Sequence, residues 1–251
     1  MENDKNLKIL KSILLFLKTG IKNELMQNLE KNKSADIITN IYSEISGQNS
    51  KRKLYNLLKY SNIGTKFKTR TFDKYITNLN NEYSYKMSLK YASTFDLEKL
   101  KGKGIFFYGN YCVGKTHLAC SIANVLIHNN ISVIFGSFIK LMSNIKDTYN
   151  TVTTDNEKHI IDSYTNCDLL IIDDLGKERL SEWNLEKLYY IINERYENNK
   201  PIVITSNFSY KELTSRLSLN KNISTAESLI SRINEMCIIL HIKGEDYRTK
   251  I

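Results

Sequence analysis

Proline occurs once in these 251 residues, tryptophan once, and the four cysteines include no Cys-x-x-Cys pair. The lone proline leaves no Pro-rich linker. The scattered cysteines, Cys112, Cys120, Cys167 and Cys237, argue against a zinc site and against a disulfide framework, and they suit the cytoplasm. Eighteen consecutive apolar residues occur nowhere, so no membrane span is expected. The run ILLFL (13–17) follows acidic residues and precedes no small-residue cleavage site, so no signal peptide is expected either. Arginine is scarce, seven residues against 29 lysines, which makes each arginine more informative than any lysine.

What the chain has in excess is positive charge, +9 overall, and that charge is local. Residues 1–100 hold 18 basic and 10 acidic side chains, whereas residues 101–251 hold 18 and 17. The stretch 51–70 carries seven basic residues and no acidic one, together with Tyr55, Tyr60 and Phe67. Cations along a backbone with aromatics that stack on bases fit single-stranded DNA. A solvated helix with core aromatics fits the same residues, and so does compositional drift towards Lys, Asn and Ile.

The segment GNYCVGKTHLA (109–119) has the spacing Gly109-x-x-x-x-Gly114-Lys115-Thr116 of a phosphate-binding loop. Glycines let the backbone wrap round phosphate oxygens and aim successive N–H groups at the anion. A lysine supplies a mobile charge for the β- and γ-phosphates, and a threonine hydroxyl can ligate Mg²⁺. The apolar run before it, KGIFFYG (103–109), reads as a buried strand. The segment after it, 115–130, has apolar residues on one helical face. Strand, loop and helix are the context the motif requires. Gly109, Asn110, Tyr111, Cys112, Val113, Gly114, Lys115, Thr116 and His117 are therefore the candidate ATP-binding residues. A phosphate-free turn is the plainer alternative, and within the loop Cys112 reads as an inert small side chain.

Strands are expected at 104–108, 132–136, 168–172, 201–206 and 237–242, and helices near 115–129, 137–149, 182–198, 209–217 and 225–235. This alternation implies an α/β fold with a five-stranded parallel sheet flanked by helices. Before it, amphipathic patterns at 7–29, 35–45 and 52–60 suggest a small all-helical region over residues 1–60, with the catalytic domain over 61–251.

Downstream, CDLLIIDDLG (167–176) runs four apolar residues into two carboxylates. It reads either as a buried strand with an acidic turn or, following a phosphate loop, as the Mg²⁺-site strand. In the second case Asp173, with Thr116, holds the metal and Asp174 polarises the attacking water. Asn207 closes PIVITSNFS (201–209) and either positions that water or belongs to an ordinary turn.

With these elements in order, the chain resembles the DnaC/DnaI-like replicative helicase loaders and the related IstB-type transposition helper ATPases of the AAA+ class. GKTHLA, LLIIDDLG, IVITSN, LISRI and the terminal YR carry the resemblance, as does LLKYSNIGTKFKTRTFDKY (57–75). It covers the chain from about residue 54 onwards. The resemblance implies an ATP- and Mg²⁺-dependent ATPase with Asn207 as first sensor, Arg232 as an arginine finger acting in trans and Arg248 as second sensor. The implied partners are a replicative DNA helicase, single-stranded DNA and further copies of the chain. A transposition helper and a non-hydrolysing, nucleotide-gated adaptor are the rival readings. Two departures stand out: Asp173-Asp174 replaces the common Asp-Glu, and residue 251 follows the fifth strand closely, so a full C-terminal lid is not expected.

Overall fold

Residues with apolar side chains on both faces of a strand demand cover on both sides, and five such runs organise this molecule. The computed structural model describes residues 61, 63–150, 157–178, 180–218, 223–244 and 246–247. All of them fall within one compact unit, Lys53–Ile251. The helices expected at 7–29, 35–45 and 52–60 lie outside the described residues.

The described chain begins with a short helix α1 (Thr65–Lys68), a 3₁₀ turn (Phe72–Lys74), α2 (Glu82–Ser93) and α3 (Phe95–Leu100). There follow β1 (Gly104–Tyr108), α4 (Lys115–His128), β2 (Val133–Ser137), α5 (Phe138–Asp147) and α6 (Glu157–Asn166). The remainder is β3 (Leu169–Leu175), α7 (Glu182–Glu197), β4 (Ile202–Ser206), α8 (Tyr210–Leu217), α9 (Ile223–Met236) and β5 (Cys237–His241). The strands form one sheet in the order β2-β3-β4-β1-β5, and every neighbouring pair is parallel.

Strand periodicity splits the core. Phe106, Leu170, Ile172, Ile202 and Ile204 face the layer made by α5 to α9. Ile105, Phe107, Leu169, Ile171 and Val203 face α4, α2 and the 63–75 segment. Helix starts are fixed locally: Ser137, Ser181 and Ser209 each accept a backbone N–H at the start of α5, α7 and α8, and Ser209 with Glu212 completes a capping box.

All five expected strands are present. Four end within one residue of expectation; β3 runs three residues further and includes both aspartates. The register of β3 on β4 shifts between Ile172 and Leu175, so two residues stand opposite one, a bulge that re-aims the strand's end. Because β4 lies between β3 and β1, the carboxyl ends of all three converge at one edge, where open α/β sheets bind ligands.

Candidate functional site

The loop between β1 and α4 has a backbone that two glycines make possible. Gly109 adopts φ 145° beside β5, where an added Cβ would lie 2.1 Å from the Ile242 carbonyl oxygen. Gly114 adopts φ 102°, and a Cβ there would lie 2.8 Å from the Tyr75 ring. Helix α4 starts at Lys115, so its unpaired first-turn N–H groups open onto the loop and favour an anion.

Lys115 is 5% exposed and points back into this loop. Its Nζ donates to the carbonyls of Gly109 (2.9 Å) and Asn110 (2.6 Å) and to Asn207 Oδ1 (2.8 Å). Burial lowers its pKa, and the charges of Asp174 and Asp173 pull the other way. The ammonium thus rests on neutral acceptors, which an anionic phosphate can replace with stronger, charge-assisted bonds.

The two hydroxyl neighbours of Asp173 come from different elements. Thr116 Oγ1 on α4 donates to Asp173 Oδ1 at 2.8 Å, and Thr205 Oγ1 on β4 donates to the same oxygen at 2.6 Å. Burial is the main cause that raises the Asp173 pKa; Asp174 adds to it, while the hydroxyl bonds and Lys115 oppose it. At the bulge Asp174 takes φ 58°, and its N–H donates to Thr205 Oγ1 at 2.9 Å. Past the bulge Asp174 lines the cavity, while Asp173 stays buried.

Lys115, Thr116, Asp174 and Asn207 border a cavity of about 450 Å³ that also touches Arg70, Tyr75, Lys177 and Tyr247; Asp173 lies behind it, bonded to Thr116. His117 lines it as well, but its Nε2 donates to the Thr71 carbonyl at 2.8 Å and its ring meets Tyr75 edge-to-face. His117 thereby ties α4 to the 69–75 segment. The Tyr247 hydroxyl accepts from Asn78 Nδ2 at 2.6 Å, and its N–H donates to the Cys112 carbonyl at 3.3 Å, so it bridges the loop to the chain before α2.

A divalent cation of the Mg²⁺ type fits these donors. Thr116 and Asp173 offer hard oxygens already within hydrogen-bond distance of each other. Among the described residues no cluster of three or more His, Cys, Asp or Glu side chains is placed to hold a metal. Mg²⁺ suits such a sparse set, since it keeps several waters and shares phosphate oxygens.

The structure therefore brings together the 109–117 loop, Asp173, Asp174 and Asn207. It does not bring Arg232 to them. That residue lies on α9, where Nε donates to Asn193 Oδ1 at 2.9 Å, NH1 donates to the Ser228 hydroxyl, and Tyr189 and Tyr196 lie under the guanidinium at 5.2 and 5.6 Å. Arg248 lies outside the described residues, as do Lys51, Arg52, Lys53 and Tyr55. Sequence reasoning missed Thr205, Tyr75, Lys177 and Tyr247. For Thr205 a signal existed in PIVITSN, where it is the first polar residue after the apolar run Ile202–Ile204.

A parallel β2-β3-β4-β1-β5 sheet with a phosphate-binding loop after β1 defines a P-loop core of the AAA+ class. The chain belongs to the IstB-like ATP binding protein family, whose profile matches residues 19–251. It is 28% identical over 209 residues to the uncharacterized protein YqaM of Bacillus subtilis (strain 168), which covers 78% of this chain and 62% of that protein. The chain thus spans less than two thirds of that relative. It is also 28% identical over 208 residues to the replicative helicase loader DnaC of Buchnera aphidicola subsp. Baizongia pistaciae (strain Bp), covering 81% of this chain and 79% of that one. A crystal structure of the DnaC helicase loader superposes with TM-score 0.62 at 29% identity, covering 72% of this chain and all of the other. No helix among the described residues is long and apolar enough to cross a membrane.

Proposed function

We propose that the protein is an ATP-dependent loader of a replicative DNA helicase onto single-stranded DNA. ATP binding sets its conformation and hydrolysis resets it. The observation that carries this reading is the meeting of Lys115, Thr116, Asp173, Asp174 and Asn207 at one sheet edge, in a chain similar to a DnaC loader along that loader's whole crystallised length.

In this reading Lys115 leaves its carbonyl acceptors for the β- and γ-phosphates. Thr116 and Asp173 hold Mg²⁺, which, when bound, neutralises charge on the phosphate oxygens. Asp174, freed from the strand register by the bulge, accepts a proton from the attacking water. Asn207 sits within 2.8 Å of Lys115 Nζ and fixes that water's line of approach. Arg232 serves the cavity of a neighbouring copy, and Arg248 follows Tyr247, which lines the cavity of its own chain. The basic, aromatic stretch at 51–70 binds the DNA strand, and residues 1–60 form the helicase-binding region.

The test uses purified replicative helicase from the same host and a labelled single strand. Helicase retention on DNA should require this protein and ATP, and Lys115→Ala should abolish both nucleotide binding and retention while leaving the folding transition intact. Retention that is equal with Lys115→Ala, or without nucleotide, would refute the reading. Membership of the IstB-like ATP binding protein family, with the resemblance to IstB-type transposition helpers, supports a second reading, a helper ATPase for a transposase; stimulation of transposase activity with no effect on the helicase is its signature.

A further inference from the structure

Tyr75 forms part of the cavity wall, and its hydroxyl has no hydrogen-bond partner among the described residues. The side chain is only 9% exposed. A buried hydroxyl nearly always finds a partner, because otherwise hydration is lost without return. This one cannot swing out to find water. Its ring stacks on Tyr85, with centroids 5.7 Å apart and an interplanar angle of 18°. On a second side His117 meets it edge-to-face at 5.2 Å. On a third, Gly114 lies so close that a Cβ there would stand 2.8 Å from both the hydroxyl oxygen and the ring. Burial also pushes the phenol's pKa up, so at neutral pH the group is a proton donor. A fixed, protonated and unpartnered hydroxyl therefore borders the phosphate-binding loop.

We propose that the Tyr75 hydroxyl donates a hydrogen bond to the bound nucleotide, at a position that ATP and ADP share. This rests on the nucleotide-binding reading of the cavity. The position follows from neighbours. Tyr75 covers Gly114 and touches His117, the end of the loop and the first turn of α4. The groups suited to the terminal phosphate, Lys115 Nζ and Asn207, meet instead at the ends of β1 and β4. Phosphate and sugar oxygens are acceptors, which a lone phenolic donor matches. Tyr75 is thus a ligand-binding residue that also explains why position 114 must be glycine: any side chain there would displace the ring that carries the donor.

Tyr75→Phe keeps the ring and deletes one oxygen. The full chain is melted without nucleotide, and affinities for Mg-ATP and Mg-ADP are titrated separately. Without nucleotide the variant should melt no lower than the wild type, because the deleted atom has no partner. With nucleotide it should bind ATP and ADP about tenfold more weakly, by the same factor for each. Unchanged affinity, or a loss confined to ATP, overturns the assignment. So does a lower melting temperature in the absence of nucleotide, which would reveal a structural bond. Wild-type protein that binds neither nucleotide overturns the reading of the cavity together with this inference. Wild-type binding that Tyr75→Phe leaves untouched sinks the Tyr75 role alone.

Discussion

Asp173 accepts two hydroxyl hydrogen bonds on one oxygen and still has its pKa raised, because it is buried with Asp174 beside it. A carboxyl of this kind holds its proton more tightly in the folded chain than in the unfolded one. Its contribution favours folding at low pH and is lost as pH rises through the folded value, so at neutral pH the charge opposes folding. A bound cation reverses that penalty, which is how a site can be strained alone and stable when loaded. Asp173→Asn keeps an oxygen acceptor for Thr116 and Thr205 without the charge. Nucleotide-free Asp173→Asn should therefore melt above the wild type at pH 7, with the difference shrinking as the pH falls towards about 4, the ordinary carboxylate range. Mg²⁺ should no longer raise its nucleotide affinity. Thermal scans at both pH values check the first part. A variant that melts below the wild type at pH 7 would show that the charge is needed for folding.

At the scale of elements, α7 shows what composition conceals. Arg195, in its last turn, looks like a solvated charge favourable to the helix dipole. It is instead fully buried. Its NH1 donates to the carbonyls of Tyr164 (2.7 Å), Thr165 (3.2 Å) and Cys167 (3.1 Å), and NH2 donates to the carbonyl of Pro201 (2.6 Å). One guanidinium thus ties the end of α6 to the approaches of β3 and β4. Its planar fork reaches both groups of carbonyls, which a lysine ammonium cannot do. Arg195→Met should leave several buried carbonyls unpaired and cost about 3 kcal/mol or more. A matching fall in the urea midpoint would be the readout, and a loss below about 1 kcal/mol would mean that water replaces the guanidinium. The same scale explains which elements were legible. The strands announced themselves as apolar runs, and α4 by its one-sided pattern. Helix α2 did not, since its buried face includes Ser84 and Ser88, which carry no hydrophobic signal. Helix α6 buries only Ile161 and Tyr164 among its ten residues, too few to mark a helical face in the sequence. The P-loop and both aspartates were readable because chemistry fixes their spacing. The bulge was not, because it depends on Thr205 receiving the Asp174 N–H from across the sheet.

For the whole molecule, the decisive question is whether one chain is a complete catalyst. Its cavity is lined by Lys115, Asp174 and Asn207, and Arg70 and Lys177 line it as well. Arg232 is elsewhere, held on α9 by Asn193 and Ser228 between two tyrosines. Among the described residues those contacts order the guanidinium without pairing it with a carboxylate: Tyr196, not Arg232, donates to Glu235, at 2.9 Å. A side chain ordered in this way loses little further entropy on meeting a phosphate. If Arg232 acts in trans, turnover should rise with protein concentration, and Arg232→Ala should lower it by about 10³–10⁵, as for arginine fingers in related NTPases. Lys115→Ala should be silent for a different reason, having lost its own nucleotide. Mixing the two inactive variants then creates interfaces at which an intact loop meets an intact Arg232. Partial recovery of ATP hydrolysis is expected in the mixture, greatest near equal proportions. If both variants are folded and assemble, yet no proportion restores turnover, Arg232 acts within its own chain or only supports α7, and the finger must be sought among the other arginines.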